Sequence, residues 1–173
     1  MLRISLLISF LCVFSVAHAD DVDWFFTPSV GVVSNSVQGT EVRLGLDLGL
    51  REDNFFGGIG GYYGAGNHPS DDREIGVGPF VGYVYPVFSF MSLQLREDID
   101  YVDQRDPVLV TSNPEVYTHT QEYGMISSTY GGVHFSFTRN FGLSAGYRGV
   151  IGLSKASLAN GRSGVALGIT IGI

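Results

Sequence analysis

A histidine and a serine two residues apart are the best candidates for catalysis in this sequence of 173 residues. In an extended strand, His134 and Ser136 point to the same face, where the imidazole could act as base and the hydroxyl as nucleophile. This chemistry also needs an acidic group that orients the histidine, and Glu122 has the same parity. However, Glu122 lies twelve residues from His134, which is about 40 Å along one strand. The pattern therefore supports a hydrolase only weakly, and we predict no catalytic residue.

Residues that could bind a metal or a phosphate are scattered. His68 and His119 are far apart in the sequence and lack the spacing of a metal site, although carboxylates lie near each of them. The glycine-rich run at 57–61 precedes no helix, so it does not resemble a phosphate-binding loop. We expect neither a metal nor a cofactor.

The charge balance argues against one class of partner. The chain has 10 Lys and Arg against 17 Asp and Glu, with a formal net charge of -7. Binding to nucleic acid requires a clustered excess of positive charge. We therefore expect no nucleic-acid partner, and the length suits a single domain.

The first nineteen residues predict an export signal. Arg3 precedes an apolar stretch at 4–16, and Ala17 and Ala19 provide the small residues of a cleavage site. The stretch has about thirteen residues, fewer than the roughly 20 of a membrane-spanning helix. The predicted organisation is a signal peptide at 1–19 and a β-barrel at 20–173. Cys12, the single cysteine, lies in the predicted signal, so we expect no disulfide.

Apolar residues alternate with small or charged residues along the rest of the chain, which is the period of a β-strand. The clearest segment is 42–51, where Val42 and four leucines share one face and the opposite face holds Arg43, Asp47 and Arg51. The same alternation occurs at 74–85, 91–101, 141–151 and 164–173, and more weakly at 26–35, 55–65 and 122–137. Glu97 is an exception on the oily face, and we expect its strand to leave the apolar zone there. The pattern predicts eight strands.

The composition indicates that the oily face points outward. Soluble barrels and sandwiches carry abundant charged residues on their outer face, whereas this chain has one lysine, Lys155. Glycines crowd the other face, as a narrow barrel interior requires. We therefore predict an all-β fold, an eight-stranded antiparallel up-and-down transmembrane β-barrel.

Short and long connections alternate along the chain. The predicted short turns are 52–54, 86–89 and 138–140, and the longer connections are 34–40, 66–73, 103–121 and 153–162. Outer-membrane barrels place short turns in the periplasm and long loops outside. Loop 103–121 is the longest and contains the apolar run 107–110, which could contact an extracellular partner, lie on the lipid surface or fold over the barrel mouth.

Aromatic residues predict two belts at the membrane interfaces. The predicted periplasmic belt contains Trp24, Phe25, Phe26, Phe55, Phe56, Tyr83, Tyr85, Phe88, Phe90, Phe135, Phe137 and Phe141, and the outer belt contains Tyr62, Tyr63, Tyr101, Tyr117 and Tyr123.

Together, the export signal, eight alternating strands and aromatic belts resemble the small outer-membrane barrels of the OmpA and OmpX type. Residues 140–148 are similar to a penultimate strand that is common in such proteins. The resemblance implies a monomer in the cell outer membrane, surrounded by outer-membrane lipid and inserted by the barrel-assembly machinery through its C-terminal strand. These barrels usually end in an aromatic residue, whereas this chain ends in Ile173.

The alternation that places leucines against lipid also places polar side chains in the lumen. The predicted lumen network contains Arg43, Asp47, Arg51, Glu74, Gln94, Arg96, Asp98, Asp100, Glu122, Tyr130, His134 and Arg148. Because buried charges must be paired, we interpret these residues as ion pairs that plug the barrel. The function that follows is a structural or surface-interaction role.

Two alternative functions remain. The first is a narrow gated pore, in which Arg43, Arg96 or Arg148 would switch between carboxylate partners. The second follows from the resemblance of His134-Phe135-Ser136 to the His-x-Ser motif of outer-membrane lipid A deacylases, which implies a lipid A-modifying hydrolase. By parity, however, His134 and Ser136 face the lumen close to a periplasmic turn, and the substrate would lie in the outer leaflet.

Overall fold

In a computed structural model, the chain forms a closed barrel of eight antiparallel strands, in which each strand pairs with its neighbours in sequence and β8 closes on β1. The strands are β1 (Asp23–Asn35), β2 (Gly39–Glu52), β3 (Phe55–Gly66), β4 (Arg73–Phe88), β5 (Met91–Ser112), β6 (Glu115–Thr138), β7 (Phe141–Gly152) and β8 (Ser163–Gly172). The structure describes residues 22–35, 39–66, 73–112, 115–154 and 162–172. The predicted signal peptide, His68, Lys155 and Ile173 lie outside the described residues. The prediction of an eight-stranded antiparallel barrel is confirmed.

The predicted loop at 103–121 is wrong, because most of it continues β5 and β6 as a long hairpin. Pairing extends through Val108↔Thr118 to Ser112↔Glu115. This segment is rich in β-branched and aromatic residues, which favour strands. Pro107 is a residue typical of loops. It lies beyond the last β4–β5 pair of the described residues, at a strand edge where a missing N–H is tolerated.

The connections at the opposite end of the barrel are two-residue turns at 53–54, 89–90 and 139–140. Asp53 has a φ of 52°, in the left-handed region that Asp tolerates better than most residues. Its carbonyl accepts a hydrogen bond of 3.0 Å from Arg51 Nε. The predicted turn at 86–89 starts too early, since β4 continues to Phe88 through a register shift after Pro86.

One row of paired residues runs around the whole barrel and defines its tilt. The row passes through Trp24, Leu50, Gly57, Val81, Glu97, Thr129, Gly149 and Ser163, and returns to β1 at Ser34, ten residues beyond Trp24. The shear number is therefore 10. With strands inclined by roughly 40°, ten residues rise about 25 Å along the barrel axis. This rise matches the height of the apolar band of an outer-membrane barrel.

The apolar face of every strand forms the outer wall. Leu44, Leu46 and Leu48 are 51–59% exposed, whereas Arg43 and Asp47 on the same strand are 4% and 7% exposed. Charges are therefore enclosed and leucines face outward, as a lipid environment requires. Beyond Glu97, β5 continues the outward pattern with Tyr101, which is 54% exposed.

Inward-facing glycines make room for large side chains on neighbouring strands. A Cβ atom added at Gly146 would lie 2.6 Å from Cζ of Tyr130. In the same way, Gly82 lies under the ring of Phe56 and Gly76 under that of Tyr62. The narrow interior therefore accommodates aromatic rings only where the neighbouring strand carries glycine.

Candidate functional site: the barrel lumen

A cluster of charges lies in the middle of the lumen. Arg96 on β5 donates to Oδ1 of Asp98 through Nε at 2.8 Å and to Oδ1 of Asp47, on β2, through Nη2 at 3.0 Å. Its guanidinium lies 3.9 Å from the centre of the Phe80 ring. The Arg96 side chain thus reaches across the lumen and bonds two carboxylates. Hydrogen bonds between charged groups such as these are stronger than those between neutral groups. We call Asp47, Arg96 and Asp98 the central cluster.

A second cluster lies nearer the end of the barrel opposite the two-residue turns, which we call the outer end. Arg43 donates to Glu74 at 2.7 Å and to Glu41 at 3.2 Å. Arg162 donates to the same two carboxylates, at 3.5 Å to Glu41 and more closely to Glu74. The Tyr62 hydroxyl also donates to Glu74. Two arginines and two glutamates balance one another in this outer cluster, defined as Glu41, Arg43, Tyr62, Glu74 and Arg162.

Apolar side chains complete the packing at both levels. Val102, Ile126 and Val150 form a buried group that contacts Tyr62. Phe56, Phe80 and Val84 form another, and Phe25 packs against it with its ring centre 6.1 Å from that of Phe56. Ion pairs and apolar groups therefore both occupy the lumen.

The space that remains is a cavity of about 680 Å³. Its lining extends from Asp23 and Arg139, at the end with the short turns, to Arg43 and Tyr62. Within the described part of the chain, the lining includes neither Glu74 nor Arg162, nor the group of Val102, Ile126 and Val150. Among the described residues, the cavity lining therefore reaches the outer cluster at Arg43 and Tyr62 and does not continue past it.

Several buried polar atoms in residues that line the cavity have no hydrogen-bond partner among the described residues. They are Oδ2 of Asp98, the Tyr130 hydroxyl and Nε of Arg148. Arg148 Nη2 lies 3.8 Å from Asp98 Oδ2, which is too long for a hydrogen bond. Polar walls around a cavity of this size are suited to hold water.

The twelve residues of the predicted lumen network all occupy inward-facing positions. Arg43, Asp47, Glu74, Arg96, Asp98, Asp100, Tyr130 and His134 are buried, and Arg51, Gln94, Glu122 and Arg148 are half-buried. The two clusters bring together five of them, with Arg148 beside Asp98. Arg51 is directed instead to the turn carbonyl of Asp53.

Three members of the outer cluster were not in the predicted network. Arg162 was assigned to a loop and Glu41 precedes the predicted strand. Tyr62 was assigned to the outer aromatic belt, but it points inward and bonds Glu74. Parity alone could have found Tyr62, because its neighbour Tyr63 shares the outward face with Phe55 and Ile59.

Of the predicted belt residues, Phe25, Phe56 and Tyr62 point inward, the side chain of Tyr117 lies outside the described residues, and the others occupy outward positions. Trp24, Phe55, Tyr83, Tyr85, Phe135, Phe137, Phe141, Tyr63, Tyr101 and Tyr123 are exposed, and Phe26 is half-buried. Phe55 and Tyr83 pack edge to face with ring centres 4.9 Å apart. Such rings are suited to the boundary between lipid and water.

The candidate catalytic pair lacks the contacts of an active site. His134 is buried and Ser136 half-buried on the lumen side of β6, near the turn at 139–140. Among the described residues no hydrogen bond joins them, and no group of three or more His, Cys, Asp or Glu side chains is placed to hold a metal. The described part of the chain also contains no helix that is long and apolar enough to cross a membrane.

Comparison with known proteins identifies the fold. The sequence matches no protein-family profile and no curated protein significantly. Among solved structures, Neisserial surface protein A (NspA) is similar with a TM-score of 0.65 and 17% identity, over 87% of this chain and 96% of NspA.

Two further barrels are similar. The N-terminal β-barrel domain of Pseudomonas aeruginosa OprF has a TM-score of 0.59 and 13% identity, over 86% of this chain and 97% of that domain. Ail, the attachment invasion locus protein of Yersinia pestis, has a TM-score of 0.53 and 12% identity, over 87% of this chain and 96% of Ail. With its apolar outer wall and charged interior, this chain has the fold of the small eight-stranded outer-membrane β-barrels.

Proposed function

We propose that the protein is a closed barrel of the outer membrane whose function is to hold the β5–β6 hairpin outside the cell for surface contacts. The extension of this hairpin carries the proposal. The last β4–β5 pair is Arg73↔Arg105, whereas β5 and β6 remain paired to Ser112↔Glu115. The hairpin therefore extends beyond β4 by seven residues of β5, which is about 20 Å.

The β6 side of this hairpin has an edge that β7 does not cover. β7 pairs with β6 only from Ile126 onward, and Leu153 and Ser154 reach the backbone of Met125. The strand before Met125 carries exposed side chains, including Thr118, Gln121 and Tyr123. Open strand edges with accessible side chains are surfaces on which an extended segment of another protein can pair.

The filled lumen supports an anchoring role rather than transport. Arg43, Glu74 and Arg162 are 2–4% exposed and bonded to one another, so an ion could pass only after they separate. An interior of eight strands is just wide enough for side chains to fill. The names of NspA and Ail denote a surface protein and an attachment locus, and the proposal for this chain rests on its own hairpin.

A hairpin deletion tests the proposal. Residues 107–119 are replaced by Asn-Gly, which closes a two-residue turn between the paired residues Asp106 and Thr120. Cells displaying the full chain, the deletion or no barrel are compared for adhesion to cultured epithelial monolayers and to immobilised matrix glycoproteins. We expect adhesion above background for the full chain and background adhesion for the deletion at equal surface levels. Equal adhesion of the full chain and the deletion would contradict the proposal.

A gated pore is a second candidate, favoured by the cavity of about 680 Å³ that extends through the inner half of the barrel. It requires the outer cluster to open. Recording from planar bilayers distinguishes the two: discrete current steps from folded wild-type protein would support the pore, and the closed barrel predicts none. We propose no enzymatic role, and replacement of Ser136 by Ala should leave lipid A acylation unchanged.

A further inference from the structure

A polar patch lies on the outer wall between β5 and β6. Glu97 on β5 accepts hydrogen bonds from the hydroxyl groups of Ser127 and Thr129 on β6, the second at 2.6 Å. All three residues have the outward parity of their strands, and Thr129 is exposed. A carboxyl group on this wall has left water for hydrocarbon, which is costly unless a partner satisfies it.

The register places Glu97 near the middle of the bilayer. In the row of pairs that climbs from Trp24 to Ser34, Glu97 is the fourth of eight steps, so it lies about halfway up the apolar band. Thr129, Gly149 and Ser163 are the next three steps toward the outer end. Lipid tails have no polar group at this depth.

The surface beside Glu97 is shaped for close approach. A Cβ atom at Gly131 or Gly149 would meet nothing within 4 Å, so each glycine leaves a hollow in the wall. Leu95 and Tyr147, the pairing neighbours of Gly131, stand 59% and 57% exposed on either side of it. The Tyr147 hydroxyl donates to Ser163 at 2.5 Å, which fixes the ring in this position. Small residues let transmembrane surfaces approach closely, and the wall offers both hollows and projections.

We propose that this patch, formed by Glu97, Ser127, Thr129, Gly131 and Gly149, is a lateral docking site for a second copy of the chain in the same membrane. Two copies inserted in the same orientation bring their Glu97 side chains to the same depth by necessity. A two-fold axis along the membrane normal then presents each patch to itself. The Glu97 side chains of the two copies meet at this axis, and the projections of one wall enter the hollows of the other.

A second copy is favoured over lipid as the occupant because it supplies a polar group at the depth of Glu97. The inference goes beyond the proposed surface role and differs from the monomer that the family resemblance implies. It is also independent of the hairpin, so the adhesion test and the dimer test can fail separately.

The test measures the dimer dissociation constant of the folded full chain in lipid bilayers by single-molecule photobleaching over a range of protein-to-lipid ratios. We expect Glu97→Leu to raise the constant at least about tenfold. Glu97→Gln should stay within about threefold of wild type, because an amide both donates and accepts. Gly149→Leu should also raise the constant about tenfold by filling the hollow, although nothing inside the barrel opposes the new side chain.

Leu46→Gln provides the matched control, since Leu46 is lipid-facing on β2, on another part of the wall. It should leave the dissociation constant unchanged. Heat-modifiable migration on a detergent gel confirms that each variant remains a folded barrel. A wild-type protein that remains monomeric at all ratios would overturn the proposal. Unchanged dimerisation of folded Glu97→Leu and Gly149→Leu would overturn it equally, because a dimer would then form through a different wall.

Discussion

Removal of the arginine in the central cluster should destabilise the barrel strongly. Arg96→Met would leave Asp47 and Asp98 without their shared cation, and all three side chains are at most 10% exposed. Loss of one partner from a buried ion pair costs about 3–5 kcal/mol, because the other charge remains buried. The cavity beside the cluster can admit water, so we expect the lower end, about 3 kcal/mol.

Urea unfolding in lipid vesicles measures this change. Trp24 is the single tryptophan of the chain and lies on the exposed wall, so its fluorescence reports transfer from lipid to water. Asp47→Asn with Asp98→Asn, added to Arg96→Met, should recover more than half of the lost free energy because no unpaired charge remains. Arg139→Met is the matched control, since its pair with Asp23 is 84% and 60% exposed and such pairs contribute little.

A loss below about 1 kcal/mol for Arg96→Met would refute the view that this pair is desolvated. Failure of the asparagine variants to restore stability would place the defect in packing against Phe80 instead.

Three other predictions use the same preparations. Gly146→Val should cost about 1–3 kcal/mol because the new side chain overlaps both the ring of Tyr130 and the β6 backbone at Gly131 and Gly132, and Tyr130→Ala in the same chain should offset only the first part of the loss in urea unfolding. Leu46→Arg places a charge on the lipid-facing wall and should cost about 2–4 kcal/mol; an unchanged unfolding free energy would show that Leu46 does not contact lipid. Arg43→Ala should convert a silent barrel into one that passes small currents in planar bilayers, because Arg43 lies where the cavity meets the outer cluster and its loss frees one side of Glu74; silence from folded Arg43→Ala would show that the remaining residues of the cluster are enough to close the lumen.

Alternation along single strands was sufficient to predict the fold and the two faces of the wall. In β2, a slip of one residue would move Leu44, Leu46 and Leu48 inside and Arg43 outside, so the pattern admits one solution. Residue type alone cannot predict which way Tyr62 and Tyr63 point. These adjacent tyrosines face opposite sides of the wall, and only their odd or even position in the strand distinguishes them.

The pairs across the lumen could not be predicted in the same way. Arg162 and Glu74 are 88 residues apart in sequence, and their meeting depends on the shear that all eight strand registers set together. The hairpin was missed for a different reason. Charged residues and Pro107 are typical of a loop, but a two-stranded ribbon beyond the barrel has exposed edges that accept both.

The orientation of the side chains is the central claim, and spin labels on adjacent residues of β7 test it most directly. Labels replace Leu143, Ser144 and Ala145 one at a time in the barrel reconstituted in bilayers, with Cys12 absent or replaced. Leu143 and Ala145 are exposed on the wall, whereas Ser144 lines the cavity. Labels at 143 and 145 should collide frequently with oxygen, which concentrates in lipid, and the label at 144 should not. High oxygen accessibility at 144 with low values at 143 and 145 would contradict the claim.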